Sequence, residues 1–185
     1  MRSFMALLFA LLLALPFAAA TCADFGPISI TVPQGFDGPI GAGKGSAKTA
    51  AWIRRHADAQ GGTLLQVTTY DDGPDLRSIG WQARAQSAKK YLLEFVAGVA
   101  QQRENFQLGE VESLSLAGEP AARVRWTGTV GSATAIGVMY CVLLDTSIVS
   151  FHTQDTGSEI TDAMKSAMAA IESMKVRQQQ RLLGS

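Results

Sequence analysis

The residues that could do chemistry are few, and their spacing argues against most of what they could do. Gly38-Pro39-Ile40-Gly41-Ala42-Gly43-Lys44-Gly45-Ser46 approaches a phosphate-binding loop. That motif needs Ser or Thr directly after its lysine, because the hydroxyl coordinates magnesium. Gly45 stands there instead, and no helical pattern starts at Lys44, so the string is expected to form a flexible glycine-rich loop. Only two histidines occur, His56 and His152. A catalytic zinc wants about three protein ligands, and an HExxH helix is absent. His152 has Ser150 and Asp155 close in sequence, but the Gly-x-Ser-x-Gly elbow that exposes a nucleophile is missing. His56 closes the basic run Arg54-Arg55-His56, which is expected to decorate a hairpin tip. Asp71, Asp72 and Asp75 around Gly73-Pro74 offer oxygens to a cation, yet they lack the alternating spacing of an EF-hand and suit an ordinary turn. The methionines Met164, Met168 and Met174 repeat at helical spacing and are read as core. No catalytic residue, metal ligand or cofactor site is assigned.

Two cysteines remain, Cys22 and Cys141. Their meaning depends on the compartment, which the N-terminus addresses. Arg2 precedes an apolar run from Phe4 to Leu15, stopped by Pro16 and followed by Ala18-Ala19-Ala20. A basic start, an apolar stretch of about 7–15 residues and a small-residue exit make a signal peptide. The run is too short for a spanning helix, which needs about 20 apolar residues. Lipoprotein processing at Cys22 is disfavoured because Thr21 sits where a small residue is wanted. Residues 1–20 are therefore expected to be cleaved after Ala20, leaving a periplasmic or secreted protein with no stable membrane insertion. In an oxidising compartment an even pair of cysteines is a candidate disulfide. Closing a loop of about 120 residues between Cys22 and Cys141 would contribute on the order of 4–5 kcal/mol.

Sixteen basic residues face sixteen acidic ones over the 185 positions, with no block of like charge. A near-neutral surface has no electrostatic reason to seek nucleic acid.

The elements that must position these residues alternate in period. Ile28, Ile30 and Val32 alternate with polar residues, as a half-buried strand within Asp24 to Pro33 does. Pro33, Gly35, Gly38 and Pro39 mark a long turn. Residues 48–55 and 63–70, separated by Gln60-Gly61-Gly62, read as a hairpin. Ser87 to Asn105 carries Tyr91, Leu92, Phe95 and Val99 on one helical stripe. Four runs at hairpin spacing then predict an antiparallel meander: 111–116, 121–130, 135–145 and 148–153. Ser158 to Met174 closes as a helix with Ser158 as its N-cap. This order predicts an α+β domain over residues 21–175, an antiparallel sheet covered by two helices, with 176–185 as a frayed tail.

Three phrases add a family resemblance. Ile30-Thr31-Val32-Pro33-Gln34-Gly35-Phe36, Leu116-Ala117-Gly118-Glu119-Pro120-Ala121-Ala122-Arg123 and Ala169-Ala170-Ile171-Glu172-Ser173 resemble the strand-Pro-x-Gly-aromatic opening, the Gly-x-Pro-Ala turn and the last helix of PsbP-like domains. The resemblance implies an α/β/α sandwich. It also implies a non-enzymatic role, since members include a photosystem II accessory subunit, a Ran-binding nuclear factor, and bacterial adaptor domains and exported proteins that bind other macromolecules. The expected function is an exported, non-catalytic accessory or adaptor protein with an unidentified protein partner. The alternative is a binder of a small apolar or lipid-like ligand.

Overall fold

A computed structural model describes residues 20–57, 61–71 and 75–177. The expected signal segment up to residue 19, the tail from residue 178 and Asp72, Gly73 and Pro74 of the expected turn lie outside the described residues.

The chain enters as a hairpin, β1 (Thr21–Phe25) and β2 (Ile28–Val32), turned by Gly26 and Pro27. The single strand expected here is thus two. β3 (Asp37–Lys44), β4 (Ala47–Arg55) and β5 (Gly62–Tyr70) follow. The expected glycine-rich loop is in fact strand β3, paired to β4 from Asp37 to Lys44 with a register shift between Asp37 and Ile40. Strand pairing uses backbone groups, so a segment with few side chains can still add an edge strand. Gly38 shows why small residues stand there. A Cβ on it would come within 2.7 Å of the Ala51 carbonyl and the Trp52 ring, and its φ of 151° suits only glycine.

α1 spans Trp81–Ala100, starting earlier and ending sooner than the apolar stripe predicts. Its first turns bury Ala85 and Ala88, small residues that a hydrophobic pattern underweights. Asn105 belongs to β6 (Glu104–Leu108). The expected meander is present as β7 (Glu112–Leu116), β8 (Glu119–Val130), β9 (Ala133–Leu143) and β10 (Ile148–Thr156). α2 covers Asp162–Glu172, and its cap is Thr161 rather than Ser158. β11 (Lys175–Val176) pairs with β2, so Val176 belongs to the ordered fold and not to the tail.

All pairings are antiparallel. The main sheet runs β3-β4-β5-β10-β9-β8-β6, with β7 sharing β8's outer side with β6. β1-β2-β11 forms a second, small sheet. One face of the main sheet buries Leu65, Val67, Tyr140 and Phe151 against α2 and the small sheet. The opposite face buries Val124, Trp126, Met139 and Leu143 against Leu92 and Val96 of α1. Met164 and Met174 lie in the first core, and Met168 packs on it, as the helical spacing predicts. The fold is an α+β sandwich of helix, antiparallel sheet and helix, with the small sheet beside α2 in the third layer.

Candidate functional site

Of the hollows among the described residues, two lie on opposite faces of the main sheet and carry the groups of interest. The larger, about 600 Å³, lies between the small sheet and the β3–β4 end of the main sheet. Every residue of β1 lines it, and Val32, Phe36, Pro39 and Trp52 give it an apolar floor. β1 is one of the two outer strands of its sheet, and β3 one of the two of the other. Two strand edges that have no neighbour among the described residues therefore border one groove. Such edges present unpaired N–H and C=O groups, ready for another chain.

The smaller hollow, about 380 Å³, lies where the C-terminal half of α1 overhangs β5 and β10. Alternation on the strands aims Gln66 and Thr68 of β5 and Ser150, His152 and Gln154 of β10 at this face. Arg103, just past α1, reaches across it. One guanidinium nitrogen donates to the Gln102 carbonyl at 3.3 Å and another to Gln154 Oε1 at 2.8 Å. The guanidinium also sits over the Trp126 ring, 5.2 Å from its centre. His152 tilts against the same indole at 5.6 Å. Burial, helped by the nearby Arg103 charge, pushes its pKa down to about 4, so the imidazole is neutral.

The residues singled out from sequence scatter around these hollows. Cys22 lies exposed on the larger groove, while Cys141 is buried on β9 among the side chains facing α1. The expected disulfide is not formed. β1 and β2 pack on the α2 side of the main sheet, so the sheet itself separates the two thiols. Burial pushes the Cys141 thiol well above its ordinary pKa, which keeps it protonated. Asp71 accepts from Lys48 at 2.6 Å. Asp75 takes a two-pronged contact from Arg77, whose hydrogen bonds hold its carboxyl at about 2. Both carboxylates therefore have cationic partners within the protein, and among the described residues no cluster of three or more His, Cys, Asp or Glu could hold a metal.

His56 stands at the β4–β5 hairpin turn, as expected, its amide donating to the Gly61 carbonyl at 3.1 Å, but its side chain is tied inward. Its Nε2 lies 2.8 Å from Asp155 Oδ1. Asp155 is fully buried in its side chain and also accepts from the Thr63 and Thr161 hydroxyls, each at 2.6 Å, and from the Thr156 amide at 2.7 Å. Both threonines donate to the carboxylate rather than to an imidazole, so neither is set up as an activated nucleophile. Asp155 works as an anchor joining β10, β5 and the start of α2.

Arg103, Trp126 and Gln154 were not singled out from the sequence. Ser150, His152 and Gln154 at every second position carried a signal, since a strand places them on one face. Arg103 carried none, because its place depends on where α1 ends.

These layers define a class of fold, the helix–antiparallel sheet–helix sandwich. No protein-family model matches the sequence, and no curated protein matches it. Solved structures do. Cyanobacterial PsbP from Synechocystis sp. PCC 6803 superposes with a TM-score of 0.57 at 13% identity, covering 89% of this chain and 96% of that one. LpqN of Mycobacterium tuberculosis, involved in cell envelope biogenesis, gives 0.56 at 14% identity over 84% and 89%. A Pseudomonas aeruginosa protein of unknown function gives 0.50 at 8% identity over 86% and 98%. The chain has the PsbP-like fold that its three phrases imply. Among the described residues no helix is long and apolar enough to cross a membrane.

Proposed function

We propose that the chain is an exported, non-catalytic accessory protein that binds another protein in the periplasm. Its partner offers an extended segment, held in the groove between β1 and β3. The observation that carries this reading is the convergence, on one apolar floor, of two strand edges unpaired among the described residues. Strand addition draws affinity from backbone hydrogen bonds and specificity from side-chain pockets, and this groove has the means for both. Export is supported by the signal-like residues 1–20. The involvement of LpqN in cell envelope biogenesis accords with it. A small apolar or lipid-like ligand is the second reading, favoured by a volume inside the 300–1,000 Å³ range of ligand pockets.

Cys22 offers a test, since it is exposed on the groove. A benzophenone maleimide on this thiol should crosslink one discrete polypeptide in the exported fraction. Gly41 lines the groove with open space around an added Cβ, so Gly41→Phe should obstruct it without disturbing the fold and abolish the adduct. An adduct that survives Gly41→Phe would sink the docking site. No adduct, together with an acyl compound extracted stoichiometrically from the native protein, would hand the groove to the second reading. Ester or peptide hydrolysis that disappears in His56→Ala would overturn the non-catalytic assignment.

A further inference from the structure

The smaller hollow beneath α1 has a chemistry unlike the apolar groove. Arg103 is partly buried and makes no ion pair among the described residues, and no carboxylate lines the pocket. Its Nε is buried with no hydrogen-bond partner. The Nε2 of His152, whose ring packs on the same indole as Arg103, is likewise buried and unpartnered, on a residue only 8% exposed. A buried polar group left unpaired costs about 1–3 kcal/mol, more when charged, so each such group calls for an explanation, an absent ligand being one. Packing alone accounts for the other Arg103 contacts, which cap the end of α1 and cover Trp126. It does not account for a cation and an unpaired imidazole facing one pocket with amides and hydroxyls around it.

We infer that this pocket binds a small organic monocarboxylate, its carboxylate on the Arg103 edge beside His152 and its hydrocarbon part against Phe95 and Val99. One guanidinium neutralises one negative charge, and its planar edge suits a carboxylate. A phosphate or sulfate dianion would be under-compensated. The end of α1 turns its partial negative charge toward the pocket, which further disfavours high anionic charge. The neutral imidazole keeps one N–H for donation, and Gln66 and Ser150 add polar contacts on the sheet side.

Calorimetric titration of the intact protein with butyrate, benzoate, phosphate and sulfate tests this. The carboxylates should bind saturably in the millimolar range or tighter, and better than either inorganic anion. Arg103→Gln should weaken them at least about ten-fold, and Arg103→Lys less. Should Arg103→Gln fail to fold, Gln66→Leu on the opposite wall is expected to weaken binding several-fold. Carboxylate binding should also shift the His152 imidazole resonances and persist in Gly41→Phe, separating this site from the groove. Phosphate or sulfate binding as well as the carboxylates would overturn the ligand class. No saturable binding, or binding indifferent to both Arg103→Gln and Gln66→Leu, would overturn the site.

Discussion

His152 and Gly137 show how single positions set the limits of this fold. The imidazole is buried and neutral, with its pKa lowered from 6.5 to about 4. Above pH 6.5 it is neutral folded and unfolded, so its titration makes no difference to stability. As pH falls below 6.5 the unfolded chain takes up a proton that the folded chain refuses until about pH 4. Stability is therefore lost across that window, by about 3 kcal/mol in all. Replacing His152 with Phe, which can keep the contact with Trp126, should flatten the acid side of the stability curve between pH 4 and 6.5. Urea unfolding of both proteins over that range measures it, and equal slopes would contradict the assignment. Gly137 faces Trp126 so closely that an added Cβ would sit 2.2 Å from the indole. Trp126 is buried and pinned by Phe106 and Arg103, so it cannot yield cheaply. Gly137→Ala should cost about 2–3 kcal/mol, read as a lower urea midpoint. A glycine in the middle of a strand pattern hints at such close approach, but nothing in the sequence says which ring approaches it.

At the scale of elements, α2 depends on a polar joint that hydrophobic patterning does not reveal. Thr161 Oγ1 accepts from the Met164 amide at 3.1 Å and donates to Asp155 at 2.6 Å, so one hydroxyl caps the helix and ties it to β10. Thr161→Ala should cost about 1–2 kcal/mol by removing the cap. Asp155→Asn should cost more, since three hydrogen bonds and the His56 contact converge on that buried carboxylate and an amide accepts fewer of them. Ser158→Ala, at the cap the sequence pattern suggests, should change little. Chemical denaturation of the three variants ranks them, and a Ser158 effect as large as that of Thr161 would contradict the cap. The meander and the β4–β5 hairpin were legible because β-branched runs and turn residues announce them locally. β3 and β6 were not: one is built of glycines and small residues, the other is five residues whose only inward anchor is Phe106. Both exist because a neighbouring strand offers backbone partners, and that is a property of the assembled sheet. The same holds for the polar pocket, whose sheet face was written in the alternation of Ser150, His152 and Gln154, while Arg103 came into place only with the end of α1.

For the whole molecule, the layering decides what distant residues can do together. The main sheet has one core against α2 and the small sheet, and another against α1. Side chains alternate between these faces, so a residue's parity along its strand fixes which layer it can reach. Cys141 points to the α1 side, with Ala122 and Ser150 as its neighbours across the strands. Cys22 rides on β1, in the layer of α2. Counting cysteines suggested a bond because composition has no sides; a disulfide needs Cα atoms within about 7 Å and Cβ vectors that converge. The native protein should therefore show one thiol that reacts promptly with an aromatic disulfide reagent, Cys22. The second, Cys141, should react only on unfolding, held back by burial and by a raised pKa that keeps it a thiol. Cys22→Ser should leave the urea midpoint within about 0.5 kcal/mol of the parent, as an exposed side chain with no bond to lose. A native protein with no titratable thiol even in urea, or a Cys22→Ser variant several kcal/mol less stable under oxidising conditions, would mean that the two cysteines are joined and the N-terminal strand is threaded differently.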